Sequence, residues 1–182
     1  MSPNESRFAA LAHLVRDLCQ LRRGPEDMPH SPALLAVLVA TSIAIDVATS
    51  AAFSGDDNAL AHSLVSTALV LALAWGALHV RKFANRYVQT ASSLVACGIV
   101  FSLLVLPLGW IAQPMPTEAS ALTPLHIAIG WLVLALFVWN LVVFAHIMRR
   151  AIEVPFGIAF AIVIAWAVAD WALSHALFDA AT

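Results

Sequence analysis

Two carboxylates stand inside long apolar segments of this chain. Asp46 lies well inside the apolar run that begins at Pro32, and Asp170 lies well inside the run that begins at Pro155. Neither run contains Lys or Arg. A charged side chain near the centre of a membrane-spanning helix costs about 2.5–3.5 kcal/mol on insertion scales, so such acids are candidates for function. At 1.5 Å per residue, both lie about 20–24 Å from the start of their helices.

Small hydroxyl side chains accompany both acids at helical spacing. Ser42 and Ser50 lie one turn before and one turn after Asp46, and Ser174 lies one turn after Asp170. We interpret these five residues as a candidate proton or cation site that faces a cavity. In the alternative interpretation, each acid simply hydrogen-bonds to nearby hydroxyl or indole groups. The sequence does not reveal whether the two acids approach each other.

Three histidines open or close three different apolar segments at the same predicted end. His62, His126 and His175 could together ligate zinc or copper, which imidazole nitrogens bind well. No two histidines are four residues apart, so no single helix presents a ready-made pair. The alternative is that they are ordinary polar ends of spans, and we expect no cofactor. Acids that could complete such a metal site are Asp56, Asp57 and Asp170.

The composition places these residues in a membrane protein. The 182 residues are 62% hydrophobic and only 11% charged, against about 25% charged in soluble domains. Five apolar runs each approach the ~20 residues that a bilayer requires. The sequence therefore predicts an all-α protein whose residues 31–182 form a five-helix transmembrane domain. The predicted spans are about 32–53, 59–80, 89–112, 124–148 and 155–178.

The basic residues predict how the chain is threaded. All nine Lys and Arg precede the first span or lie in the second-to-third and fourth-to-fifth connections. By the positive-inside rule these segments are cytosolic, which gives an N-in, C-out topology. The alanine-rich spans and short loops suggest a bacterial cytoplasmic membrane, and a net charge of −2 argues against nucleic acid as a partner. The predicted contacts with anionic lipids or a partner protein are Arg16, Arg22, Arg23, Arg81, Lys82, Arg86, Arg149 and Arg150.

Residues 1–30 precede the first span and predict an amphipathic helix followed by a linker. Apolar residues recur at helical spacing from Phe8 to Leu21, and Gly24-Pro25 marks the end. We expect this helix to lie in the cytosolic interface of the membrane, with docking on a soluble partner as the alternative. Cys19 then falls on the cytosolic side and Cys97 inside a span, so we expect different environments and no disulfide.

The fifth span carries a row of small residues on one helical face. Small residues allow helix backbones to approach closely in a membrane. We expect this face to pack against another helix of the same chain, with a dimer interface as the alternative. The row consists of Gly157, Ala161, Ala165, Ala169, Ala172 and Ala176.

The arrangement of spans is similar to that of the Yip1 family of small membrane proteins. The likeness covers five spans after a cytosolic segment, the entry Arg81-Lys82-Phe83 into the third span, and the span from Trp131 to Ile147 followed by a small-residue fifth span. The acidic-Leu-Tyr-Gly-Pro element of eukaryotic members is absent, since residues 21–27 keep only Gly-Pro. The resemblance therefore implies a fold, and we do not extend the family's role with prenylated GTPases to this chain.

The function expected from the sequence is non-enzymatic. No Walker, G-x-S-x-G, H-E-x-x-H or dinucleotide-binding fingerprint occurs in the chain. We expect an adaptor, assembly or membrane-organising subunit that associates with a membrane partner or with copies of itself. The alternative is a small proton- or cation-coupled transporter or channel that uses Asp46 and Asp170.

Overall fold

The computed structural model describes residues 3–53, 58–113 and 122–178. This part of the chain forms six α-helices and contains no β-strand. Five of the helices are long and apolar enough to cross a membrane, which makes the chain a multi-pass membrane protein, as predicted. The helices are α1 (Pro3–Cys19), α2 (Pro32–Phe53), α3 (Ala59–Val80), α4 (Tyr87–Ile111), α5 (Pro124–Ile152) and α6 (Phe156–Phe178).

Local chemistry sets several helix ends. Ser31 Oγ accepts a hydrogen bond from Leu34 N at 3.2 Å, and Thr123 caps α5 in the same way, so both predicted N-caps are confirmed. α5 continues to Ile152, beyond the predicted end at Met148. It stops there because Glu153 adopts a left-handed conformation with φ of 55°.

The basic segments meet at one end of the bundle, which we call the basic end. Arg86, between α3 and α4, pairs with Glu153, between α5 and α6, at 2.8 Å. Arg150, in the last turn of α5, pairs with Glu26 of the α1–α2 connection at 2.5 Å. Gln89 also donates to the Glu26 carbonyl at 3.2 Å. The three connections that carry the basic residues therefore lie side by side, as successive antiparallel crossings require.

The other termini of the long helices meet at the opposite end. Gln113 Nε2 donates to the Ala52 carbonyl oxygen at 2.9 Å, which joins the end of α4 to the end of α2. His126 Nε2 lies 3.1 Å from the Ala112 carbonyl oxygen, which joins the start of α5 to the end of α4. The His62 and Phe178 rings stack with centroids 5.0 Å apart. α2 to α6 therefore alternate in direction between two ends.

Helix α4 forms the centre of the bundle. It contacts α1, α2, α3 and α5, and every residue from 90 to 97 is buried. Most of these residues are small, so the neighbouring helices approach closely. The Thr90 hydroxyl donates to the Arg86 carbonyl at 2.9 Å, and the Ser93 hydroxyl donates to the Gln89 carbonyl at 2.8 Å. Both buried hydroxyls therefore find a partner one turn earlier in the chain.

Helix α1 packs against the bundle through its C-terminal half, and its predicted position in the membrane interface stays a prediction. Leu18 is fully buried in the core formed with α4, α5 and α6. The Trp139 indole donates to the Cys19 carbonyl at 3.2 Å. This hydrogen bond gives a partner to one of the backbone carbonyls that the end of α1 leaves unpaired. At 1.5 Å per residue, Trp139 lies about 20 Å along α5 from the basic end. Phe8, near the other end of α1, is 74% exposed.

The two cysteines share one environment, contrary to the prediction. The free thiol of Cys19 at the end of α1 lies within hydrogen-bonding reach of the free, buried thiol of Cys97 on α4. The hydrogen bond from Cys97 lowers the pKa of the Cys19 thiol, against the opposing effect of partial burial. The sequence prediction failed because the pattern along α1 does not show that its C-terminal end packs against α4.

The row of small residues on α6 faces away from the bundle, so the expected packing within the chain is wrong. All six residues of the row are exposed, and a Cβ atom added at Gly157 would meet no atom within 4 Å. The opposite face of α6, which carries Ala159, Val163 and Ser174, is the buried one. Trp166 and Asp170 are half-buried beside this inner face.

The docking of α1 predicts a disulfide between Cys19 and Cys97 on mild oxidation. Treatment of the purified protein with diamide should oxidise the two thiols to one disulfide and reduce the diamide to its hydrazine. The lowered pKa of Cys19 favours the thiolate that starts this exchange. The measurement is labelling with maleimide-polyethylene glycol after denaturation. Neither cysteine of the treated protein should react.

The matched controls are Cys19→Ser and Cys97→Ser, each of which should keep its remaining thiol available for labelling after the same treatment. If diamide leaves both wild-type thiols open to labelling, α1 does not hold Cys19 against Cys97.

Candidate functional site

Asp46 is held inside the bundle by hydroxyl groups from three helices. Ser42 of α2 donates to Oδ2 at 3.2 Å, Ser63 of α3 donates to Oδ2 at 3.5 Å, and Ser102 of α4 donates to Oδ1 at 2.8 Å. Both carboxylate oxygens are therefore hydrogen-bonded. Among the residues that the structure describes, Asp46 takes part in no ion pair.

These hydroxyls meet Asp46 because they lie at a similar level of an antiparallel bundle. The depth of each residue is its distance along the helix from the terminus at the basic end; the residues are Asp46 on α2, Ser102 on α4 and Ser63 on α3. At 1.5 Å per residue, all three lie about 21–25 Å from that terminus. The three groups therefore belong to the half of the bundle that is nearer the opposite end.

A cavity of about 120 Å³ adjoins this carboxylate, and we call it the Asp46 cavity. Two polar atoms on α5 and α6 that line it, Asn140 Oδ1 and Trp166 Nε1, are buried without a hydrogen-bond partner in the described structure. One is an acceptor and the other a donor, so a group that both donates and accepts, such as water, could satisfy both. The cavity is lined by Ser42, Asp46, Ser66, Thr67, Val70, Leu94, Val95, Gly98, Ser102, Asn140, Phe144 and Trp166.

Asp170 lines a second, larger cavity of about 340 Å³, which we call the Asp170 cavity. Asp170 Oδ1 and Ser174 Oγ are buried there, and neither has a hydrogen-bond partner in the described part of the chain. Trp171 and His175 are exposed beside them, so the cavity reaches the surface of the bundle. It is lined by His62, Phe137, Trp166, Ala167, Asp170, Trp171, Ser174 and His175.

The two acids belong to separate cavities that share one wall. Trp166 lines both the Asp46 cavity and the Asp170 cavity, and its ring lies against Phe144 with centroids 5.8 Å apart. The two acids therefore lie at a similar level of the bundle but in different cavities, and Trp166 lines both. Of the predicted hydroxyls, Ser42 contacts Asp46 and Ser174 lies beside Asp170, whereas Ser50 lines neither cavity.

The three outer histidines do not converge on one point. His126 is held by Thr123, whose Oγ1 lies 2.8 Å from Nδ1, and by the Ala112 carbonyl. His62 and His175 both line the Asp170 cavity. Within the described ranges, no three His, Cys, Asp or Glu side chains lie close enough to hold a metal ion together. The histidine site predicted from sequence is therefore not assembled there; Asp56 and Asp57 lie outside the described residues.

The predicted cytosolic contact residues are largely engaged with neighbouring groups at the basic end. Arg16 and Arg23 pair with Asp17 at 3.5 Å each, and Arg81 donates to the Ile152 carbonyl at 3.2 Å. In residues 3–53, 58–113 and 122–178, three others of the eight form no ion pair and stay exposed. These three are Arg22, Lys82 and Arg149.

Sequence reasoning missed the hydroxyls that contact Asp46 across the bundle. Ser63 and Ser102 lie on other helices, so spacing along α2 could not identify them. A signal was nevertheless present, since each is a hydroxyl inside an apolar span at the depth of Asp46. Comparing depths across spans, counted from the basic connections, would have found both residues.

Searches against protein families, curated proteins and solved structures each gave no match. The likeness to the Yip1 family stays a prediction from the arrangement of spans.

The hydrogen bonds to Asp46 predict a graded loss of stability when single hydroxyls are removed. Ser102→Ala should lower the free energy of unfolding by about 1.5–3 kcal/mol, because it removes the shortest bond to a charged group. Ser63→Ala should lower the free energy of unfolding by less, since the hydrogen bond from Ser63 to Asp46 is longer. Equilibrium unfolding in dodecyl maltoside micelles on addition of SDS measures these differences.

The control is Thr41→Ala on the exposed side of α2, whose hydroxyl donates only to the Val37 carbonyl of its own helix at 2.8 Å. It should change stability by less than about 0.5 kcal/mol. A Ser102→Ala variant as stable as Thr41→Ala would show that Ser102 does not support the carboxylate.

Proposed function

We propose that this chain is a proton- or cation-translocating protein of a cytoplasmic membrane, with its basic end in the cytosol and Asp46 as the central binding group. The observation that carries the proposal is the Asp46 carboxylate itself. It lies inside a membrane bundle, receives three hydroxyl hydrogen bonds and borders a cavity. The positive-inside rule supports the orientation.

The energetics of a buried acid favour this function over a purely structural role. A carboxylate inside the bilayer costs several kcal/mol unless its charge is compensated, and hydrogen bonds to hydroxyls offset only part of that cost. No Lys or Arg occurs within α2, α3 or α6 to supply a counter-charge. A proton or a cation bound to Asp46 supplies it and can also leave, which a fixed Lys or Arg cannot do.

The second cavity gives the bound ion a route toward the opposite end. The Asp170 cavity reaches the surface of the bundle there, and Trp166 separates it from the Asp46 cavity. A change of the Trp166 rotamer would join the two cavities into one polar path. The path would run from Asp170 to Asn140 and Asp46, past atoms whose hydrogen-bonding capacity is unfilled in the described structure.

The flux prediction concerns both acids. In proteoliposomes with an imposed membrane potential and a trapped pH-sensitive dye, Asp46→Asn should reduce proton flux at least tenfold, because the amide carries no titratable proton and no negative charge. Asp170→Asn should reduce flux as well, and Asp46→Glu should retain part of it. The same vesicles with sodium or potassium gradients identify the ion.

Asp27→Asn at the basic end is the matched control and should conduct like the wild type, since it removes an exposed carboxylate far from both cavities. Size-exclusion profiles confirm that each variant is folded. Wild-type flux in both Asp46→Asn and Asp170→Asn would contradict the proposed function.

A second candidate is an assembly subunit, and the exposed face of α6 favours it. Six small residues lie along this outward face, where a helix of a second copy or of another membrane protein could approach closely. Bound lipid at Arg22, Lys82 and Arg149 would fit the same role, because these exposed cations face the anionic headgroups of the cytosolic leaflet in the proposed orientation.

Bulky substitutions on that face test the assembly role. Ala165→Leu combined with Ala169→Leu should dissociate any oligomer or partner complex, since two added side chains keep the backbones apart. Native mass spectrometry from lipid nanodiscs measures the stoichiometry. Ala128→Leu, at an exposed site on α5, should leave it unchanged. A wild-type protein that is only monomeric in nanodiscs would contradict this candidate.

A further inference from the structure

The Asp170 cavity combines one acid, unfilled polar atoms and aromatic walls. Asp170 Oδ1 and Ser174 Oγ are buried and have no hydrogen-bond partner in the structure as described, and Ser174 is only 8% exposed. Such unsatisfied groups are rare in folded proteins, and a bound group is one way to satisfy them. An ionised Asp170 only accepts hydrogen bonds and the Ser174 hydroxyl can also accept, so a bound donor could satisfy both.

The charge of the lining indicates that this donor is a cation. Among the described residues that line the cavity, Asp170 is the only Asp or Glu, and none is Lys or Arg. An ionised Asp170 therefore has no permanent protein counter-charge at hand. A bound cation that donates to both Asp170 and Ser174 would satisfy the two atoms and compensate the charge of an ionised Asp170.

The remaining walls select an organic cation over a metal ion. Ca²⁺ and Mg²⁺ require about six oxygen ligands, whereas the described lining offers oxygens from only two side chains. His62 and His175 also line the cavity, but within the described residues no three His, Cys, Asp or Glu side chains lie close enough to hold a metal ion together. Aromatic faces attract ammonium groups that have lost their water, and Phe137, Trp166 and Trp171 supply such faces. The volume of about 340 Å³ leaves space for a small amine with a short chain or a single ring.

We propose that the Asp170 cavity binds a primary ammonium group, with Asp170 as its counter-charge and Ser174 as a second acceptor. The inference rests on the proposed function and deepens it by naming the class of cation that the outer site binds. The exposed residues Trp171 and His175 beside Asp170 make the cavity reachable by two sources of that chemistry. One is a free amine in solution, and the other is the ethanolamine headgroup of a lipid.

The test is isothermal titration calorimetry of the purified protein in dodecyl maltoside, a neutral detergent that carries no ammonium group. Benzylammonium should bind at one site, and benzyl alcohol, its uncharged analogue, should bind at least tenfold more weakly. Asp170→Asn should weaken benzylammonium binding at least tenfold, because the charge-assisted hydrogen bond is lost. Asp170→Glu keeps the charge and should still bind benzylammonium. This variant shows that a loss of binding in Asp170→Asn does not come from misfolding.

Ser174→Ala and Trp171→Ala should each weaken binding severalfold, and Asp27→Asn should leave it unchanged. Competition distinguishes the two sources. If short-chain phosphatidylethanolamine displaces benzylammonium and phosphatidylglycerol does not, the source is the lipid headgroup. If neither lipid displaces it, the source is a free amine. Equal affinity for benzylammonium and benzyl alcohol, or unchanged binding in Asp170→Asn, overturns the inference. Binding is measured without transport, so loss of flux in Asp46→Asn with intact binding separates this result from the proposed function.

Discussion

The hydrogen bonding of the Asp46 carboxylate is the constraint on which the rest of the bundle depends. A charge at this depth is tolerated only if several groups converge on it, and here they come from three different helices. The requirement fixes the relative height of α2, α3 and α4, since a shift of one turn would withdraw a hydroxyl. In the proposed function, a proton or a cation supplies the counter-charge that the hydroxyl groups do not.

The surrounding structure keeps these three helices in register. Small buried residues at 90–97 allow α4 to lie close to its neighbours, and the pairs Arg86–Glu153 and Arg150–Glu26 tie the connections together at the basic end. Because these small residues and ion pairs stabilise the bundle, the polar groups of the opposite half can line cavities. Trp166, which borders both cavities, is the element whose movement would connect them.

Sequence patterns predicted what depends on local chemistry. Hydropathy located five spans, and Ser31 and Thr123 marked two helix starts, because composition and capping act within a few residues. Patterns along one helix do not determine which face meets a neighbour. The outward small face of α6, the contact of Cys19 with Cys97 and the donation from Ser102 to Asp46 all depend on how helices pack. The acids themselves were predictable, but the groups around them were not.

The central claim is that Asp46 gains and loses a proton or exchanges it for a cation. Infrared difference spectroscopy of the protein in lipid nanodiscs, recorded as the pH or the cation concentration is changed, observes the carboxyl group directly. The account predicts a carbonyl-stretching band of a protonated carboxylic acid, or a cation-dependent carboxylate band, that is present in the wild type and absent from Asp46→Asn. Identical difference spectra for the two proteins would contradict it.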